Sequence, residues 1–186
     1  MKNKNLLSVS IFSVLILGSA SASALSNDRN VDVSADISDD EGYSLSIDAH
    51  RQNNKASFHS YRMSSDSVST FGYKRQINDQ ASPFKVYVGL SGMTSSTANS
   101  KDGYALGTYI GLGYDIVDSG TAFNIGLTQE VLESEFDEGR ILDISLSQKI
   151  STNIGLKIGY RKIDRENNGA SDTYMDSGYL GFNVSF

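Results

Sequence analysis

From Phe84 to Phe186 apolar residues alternate with small or polar ones at a period of two, and this pattern limits the possible folds more than any other feature. Phe84, Val86, Val88 and Leu90 share one face, against Lys85, Tyr87, Gly89 and Ser91. Tyr104, Leu106, Thr108, Ile110, Leu112, Tyr114 and Ile116 likewise oppose Ala105, Gly107, Tyr109, Gly111, Gly113 and Asp115. Phe123, Ile125, Leu127 and Val131 oppose Asn124, Gly126, Thr128 and Glu130, and Leu142, Ile144, Leu146 and Ile150 oppose Asp143, Ser145, Ser147 and Lys149. Ile154, Leu156, Ile158 and Tyr160 oppose Gly155, Lys157, Gly159 and Arg161, and Leu180, Phe182, Val184 and Phe186 oppose Tyr179, Gly181, Asn183 and Ser185. A helix would spread these residues around its circumference, so the pattern predicts successive antiparallel strands.

The N-terminal part is less regular. Val31, Val33, Ala35 and Ile37 alternate with Asp32, Ser34 and Asp36, and Tyr43, Leu45, Ile47 and Ala49 with Ser44, Ser46, Asp48 and His50. Residues 56–63 and 68–77 are read as the third and fourth strands, with Arg62, Lys74 and Arg75 blurring their faces. The reading is an all-β chain folded as a transmembrane antiparallel up-and-down barrel of about ten strands, with eight as the alternative count.

Lipid outside, rather than water, follows from where the charges fall. The apolar face is almost free of charge at mid-strand, where Arg or Lys in lipid costs about 2 to 4 kcal/mol. The opposite face carries Gly, Ser and isolated charges at Lys85, Asp115, Glu130, Asp143, Lys149, Lys157 and Arg161, which are predicted to face the lumen. A lipocalin-like barrel has the reverse arrangement. Tyr104 and Tyr114 bracket an apolar stretch that spans roughly 25 Å when tilted, the height expected between aromatic girdles. A mean hydropathy of −0.28 is too polar for membrane helices but suits strands that show lipid on one face only. With no Cys in the chain, disulfides, thiolate metal sites and a lipidated Cys are ruled out. A net charge of −6 argues against nucleic acid as a partner.

The N-terminus reads as an address. Lys2 and Lys4 precede the apolar run Leu6 to Leu17, and small residues follow in GSASASA. That is the three-part form of a secretory signal peptide, too short in its apolar part to span as a helix. Residues 1–24 are expected to be removed, by cleavage after Ala22 or Ala24, leaving residues 25–186 as the barrel. Connections read as alternately long and short, with DRENNGASDTYMDS, ESEFDEGR and MTSSTANSKD long, STN and VDSG short, and NDQASP intermediate. Short turns belong on the periplasmic side, which with an even strand number puts both chain ends in the periplasm.

The last strand, YLGFNVSF, ends on Phe with apolar residues at every second position before it. Leu180, Phe182, Val184 and Phe186 resemble the C-terminal signature that the barrel-assembly machinery of Gram-negative outer membranes recognises. GYRKIDRENNGASDTYMDSGYLGFNVSF, together with DGYALGTYIGLGYDI, resembles the small outer-membrane barrels of the YfaZ type over about the C-terminal half. This resemblance implies location and fold and brings no catalytic motif.

Chemistry-bearing candidates are few. Asp48 and His50 share a strand face and resemble the Asp-x-His pair of omptin proteases, yet His50 is expected near the periplasmic end, away from an extracellular vestibule. His59 and Ser60 are strand neighbours facing opposite sides, which rules out an acyl-transfer dyad. DRENNG, with Asp164, Glu166, Asn168 and Gly169, imitates the start of a calcium loop, but Met175 stands where the bidentate Glu is required. Glu133, Glu135, Asp137 and Glu138 form another acidic loop. The reading therefore assigns no catalytic, cofactor-binding or metal-ligating residue and no cofactor. It expects outer-membrane lipids and the assembly machinery as partners, with the extracellular ligand unidentified. Ten strands give a backbone radius of roughly 10 Å, which inward Tyr87, Tyr109, Tyr179, Lys157 and Arg161 fill in large part. The functional expectation is a structural or interaction barrel displaying acidic loops, with a narrow channel for ions or very small solutes as the alternative and an outer-membrane enzyme third.

Overall fold

The computed structural model describes residues 29–39, 42–63, 66–97, 100–130, 139–167 and 170–186. Ten strands follow one another: β1 (Arg29–Ser38), β2 (Tyr43–Arg51), β3 (Asn54–Met63), β4 (Asp66–Gln76), β5 (Phe84–Thr97), β6 (Ser100–Ile116), β7 (Thr121–Glu130), β8 (Gly139–Lys149), β9 (Ile154–Asn167) and β10 (Ala170–Ser185). Each pairs antiparallel with its sequence neighbours, and β10 closes the barrel on β1. Closure leaves no unpaired strand edge, as a sheet surrounded by lipid requires. The expected signal segment, residues 1–24, lies outside the described residues.

The molecule is inside-out relative to a soluble domain. Among the described residues eight hydrophobic side chains are buried, whereas 24 large ones are exposed, including Leu90, Leu180 and Ile158 at 69%, 62% and 58%. A soluble monomer rarely shows contiguous apolar patches beyond a few hundred Å². The register places outward apolar side chains side by side, as in Val86↔Leu112, Leu112↔Ile125, Ile125↔Ile144, Ile144↔Tyr160 and Leu156↔Phe182. Exposed Arg51 and Arg75 stand at one edge of this belt and Arg62 and Arg140 at the other, where long cationic side chains reach the polar interface.

The connections differ from the sequence expectation. The end carrying both termini has tight turns and one longer connection: Gln52 and Asn53 join β2 to β3, with Gln52 at φ 52°, residues 117–120 join β6 to β7, with Asp118 and Gly120 at φ 62° and 67°, and residues 77–83 join β4 to β5. At the opposite end, MTSSTANSKD and DRENNGASDTYMDS are not long loops, because the strands run through them. β5 and β6 continue to Thr97 and from Ser100, and β9 and β10 to Asn167 and from Ala170. These strands reach 14, 17, 14 and 16 residues, beyond the roughly 9 to 11 a bilayer crossing needs. Hairpin pairing persists past the lipid, but with no apolar surroundings there is nothing to maintain apolar alternation, so the extension is invisible as a pattern. Both irregularities of register, between Ser95 and Thr97 and between Thr173 and Met175, fall in these extensions. Two smaller corrections concern strand ends: Ile150 follows β8 as an exposed turn residue, and β3 begins at Asn54 rather than residue 56. Val131 and residues 133–138 lie outside the described residues.

Candidate functional site: a charged chamber closed at one end

The lumen divides into layers. In the layer nearest the termini Asp32 meets His50 at 3.0 Å, and Lys85 meets Asp115 at 2.5 Å. One layer in, Asp48 lies 2.9 Å from Lys55 Nζ and 3.6 Å from His59 Nε2. Ser34 and Ser46 face each other across β1 and β2 with their hydroxyls hydrogen-bonded. All these side chains line a cavity of about 470 Å³, together with Lys74, Tyr87, Tyr109, Lys149 and Lys157.

Deeper still, Arg161 bridges the lumen. Its Nε donates to Asp143 Oδ2 at 2.7 Å, its Nη2 lies 2.6 Å from the same oxygen, and its Nη1 donates to Ser44 Oγ at 3.0 Å. Asp36 Oδ2 is 3.5 Å from Nη2 and accepts from Ser44 Oγ at 2.9 Å. Tyr179 donates to Asp143 Oδ1 at 3.1 Å. The guanidinium carbon sits 4.6 Å from the Tyr61 ring centroid and 4.4 Å from that of Tyr179, so its faces are covered by aromatic rings while its edges bond carboxylates. Glycines make this possible. A Cβ on Gly159 would lie 2.5 Å from the Tyr179 ring, and one on Gly126 would lie 2.8 Å from the Tyr109 hydroxyl. The glycine-rich inner face of the sequence is thus the floor on which these tyrosines lie across the wall.

Beyond Arg161 one side of the interior is apolar, while buried Ser38 and Ser177 occupy the β1 and β10 side. Tyr61, Val68, Ile141, Ile163 and Met175 form a buried cluster, with Met93 packed against it. They come from β3, β4, β8, β9 and β10 and pack together in the lumen at the end away from the termini. Exposure marks the direction of opening: the side chains of Lys85 and Asp115 are 27% and 47% exposed, those of Arg161 and Asp36 both 4%. The chamber therefore opens toward the chain termini and ends blind beneath the apolar plug.

Of the residues expected in the lumen, Lys85, Asp115, Asp143, Lys149, Lys157 and Arg161 line the chamber. Glu130 is placed only by register, opposite Gly107 on β6. Sequence reasoning left out Lys55, His59, Tyr61 and Lys74, which also line it. The available signal was their parity: residues 55, 57, 59 and 61 of β3 share one face, as do 70, 72, 74 and 76 of β4. The Asp48 and His50 pair is divided between different partners, Lys55 and Asp32, and is not set up to activate water. Asp164 accepts from Thr173 Oγ1 at 3.0 Å and pairs with Lys162 at 3.1 Å, so the carboxylate that opens DRENNG is tied into the β9 and β10 hairpin. At the C-terminus Leu180, Phe182 and Val184 lie on β10 opposite Ile37, Ala35 and Val33 of β1. Phe186 N donates to Val31 O at 2.9 Å.

A closed, even-stranded antiparallel barrel with an apolar outer belt and a charged interior is a transmembrane β-barrel of the outer-membrane kind. The chain belongs to the YfaZ precursor family, whose model matches residues 3–186. No curated protein sequence matches it. Among solved structures it is similar over 84% of its length to the NanC porin in a rhombohedral crystal form, covering 98% of that chain at 15% identity and a TM-score of 0.47. It is also similar over 85% of its length to the N-terminal β-barrel domain of Pseudomonas aeruginosa OprF (96% of that chain, 11% identity, TM-score 0.39). For Neisserial surface protein A the values are 85%, 94%, 15% identity and 0.26.

Proposed function

We propose that the protein is a non-enzymatic structural and interaction barrel of the Gram-negative outer membrane, with both chain ends in the periplasm and a lumen closed to solutes on the outer side. The observation that carries this reading is the apolar plug of Tyr61, Val68, Ile141, Ile163 and Met175 stacked on the buried Arg161 layer. Passage would require breaking the Arg161 contacts with Asp36 and Asp143 and parting the cluster above them.

The strands of the β5–β6 and β9–β10 hairpins, 14 to 17 residues long, run past bilayer length at the end away from the termini, which supports a periplasmic placement of the terminal end, since the larger projections characterise the extracellular side of such barrels. The hairpins of β5 with β6 and β9 with β10 then project outward, and the connections at that end carry the acidic runs DDE at 39–41 and ESEFDE at 133–138. An acidic rim of this kind suits a cationic partner or bridging divalent cations more than an anionic one. Outer-membrane lipids surround the belt, and the assembly machinery would meet the β10 signature of Leu180, Phe182, Val184 and Phe186 during insertion.

Planar-bilayer recording tests the closed lumen: the purified barrel is expected to show no stepwise openings, and regular unitary conductance would replace this reading with the narrow channel. Orientation has its own readout. An epitope inserted after Asn168 is expected to label on intact cells and one after Thr152 only after permeabilisation; the reverse would invert the barrel.

A further inference from the structure

The chamber's charge is opposite in sign to that of the chain. The protein as a whole carries −6, yet the described residues lining the chamber include six Lys or Arg against four Asp. The carboxylates are already engaged: Asp32 by His50, Asp48 by Lys55, Asp115 by Lys85 and Asp143 by Arg161. Among the described chamber residues Lys74, Lys149 and Lys157 have no carboxylate within ion-pair distance, and Lys149 stands exposed at the end of β8. Lys74 and Lys157 instead lie over aromatic rings, Lys74 Nζ at 3.9 Å from the Tyr109 centroid and Lys157 Nζ at 5.0 Å from that of Tyr179.

Their placement is as telling as their lack of partners. β4 and β9 stand five places apart in a ring of ten, on opposite walls. Lys74 is two residues in from Gln76, where β4 ends, and Lys157 three in from Ile154, where β9 begins, so both enter from near the open end. In a barrel of about 10 Å backbone radius two such side chains reach inward to leave a gap on the order of one oxyanion with shared waters. Ammonium groups held inside a confined chamber without a carboxylate partner are costly, and an anion between them recovers that cost. Tyr87 and Ser57 line the same space with hydroxyls that donate to an oxyanion.

We propose that the chamber is a binding site for a compact oxyanion, with Lys74 and Lys157 as its two cationic jaws and a phosphate or dicarboxylate as the class of ligand. The proposal goes beyond the closed-barrel reading and does not depend on it, because binding to the folded barrel in micelles is read without any conductance.

The test is isothermal titration of the folded, detergent-solubilised full chain at 150 mM NaCl, a salt level that screens loose charge attraction beyond about 8 Å. Inorganic phosphate and succinate are titrated separately. Saturable binding of either supports the site, phosphate alone marking a phosphoryl preference and both marking selection by charge and size. Lys74→Met and Lys157→Met are each expected to weaken binding about tenfold or more, the loss of one charge-assisted contact. Lys162→Met, outside the chamber, should leave it unchanged. Heat-modifiable gel migration confirms that each variant is folded, and Lys74→Gln and Lys157→Gln replace a Met variant that is not. No saturable binding of either anion by the wild type, or equal binding by the folded Lys74 and Lys157 variants, overturns the proposal.

Discussion

The two ends of the lumen are built from the same strands, turn the same parity of residue inward, and have opposite character. On β9, Lys157 faces the open chamber, Arg161 the bridging layer and Ile163 the plug, within six residues of one face. On β8 the same order runs through Lys149, Asp143 and Ile141. Alternation thus fixes which side chains point inward but leaves open whether the barrel is a passage or a closed cup. That is decided by a handful of inward residues at one height, and the difference between the two ends can be broken or sharpened by changing them.

The largest effect is expected at Arg161. Replacing it by Met removes the guanidinium that holds Asp36 and Asp143 and leaves without its cation a carboxylate, that of Asp36, whose side chain is only 4% exposed, beside the part-exposed Asp143. Removing one partner of a buried ion pair costs about 3 to 5 kcal/mol. Urea unfolding of the barrel refolded into lipid vesicles, followed by the heat-modifiable band, should show a loss of that size. A loss below about 1 kcal/mol, the range of exposed pairs, would mean that water reaches Arg161 and that the lumen is open past it.

Next comes the plug itself. Ile163 is 2% exposed and packs in the cluster with Tyr61, Val68, Ile141 and Met175. Ile163→Ala is expected to cost about 2 to 3 kcal/mol in the same assay, the lower part of the range for such truncations, because the cluster is small. A neutral result would show that the far end is not close-packed, and would remove the support that the plug gives to a closed lumen.

Much of this architecture was legible before the structure, for a physical reason. Wherever lipid lies on one side and water or polar side chains on the other, selection acts on every second residue, and Phe84 to Leu90 or Ile154 to Tyr160 record it directly. Legibility fails where that contrast fades. On β3 and β4 the outward face includes Ser60, Arg62, Ser69 and Arg75, so the inward Lys55, His59 and Lys74 do not stand out against it. Beyond the belt Thr97, Ser100 and Ala170 continue the hairpins with no lipid to impose a pattern. The plug was legible only as an anomaly of parity: Ile141, Ile163 and Met175 are apolar residues on the face that otherwise carries charge. Such a misplaced residue reads equally well as noise until its neighbours from other strands are seen at the same height.

The smallest expected effect is at the chamber mouth, and it completes the contrast with Arg161. Lys85 and Asp115 are as close as the Arg161 pair, at 2.5 Å against 2.6 Å, so distance alone would rank them as equals. They differ in solvent. The Lys85 and Asp115 side chains are 27% and 47% exposed, against 4% for Arg161 and Asp36 and 27% for Asp143, and when Lys85 is removed Asp115 is rehydrated, whereas Asp36 is left dry when Arg161 is removed. Lys85→Met should therefore cost no more than about 1 kcal/mol, and what it does cost should shrink as salt is raised, since exposed pairs are screened and buried ones much less. A salt series run on Lys85→Met and Arg161→Met together gives the comparison its sharpest form. A large, salt-insensitive loss at Lys85 would show that the mouth is as dry as the interior, and the gradient from open chamber to closed plug would then have to be abandoned.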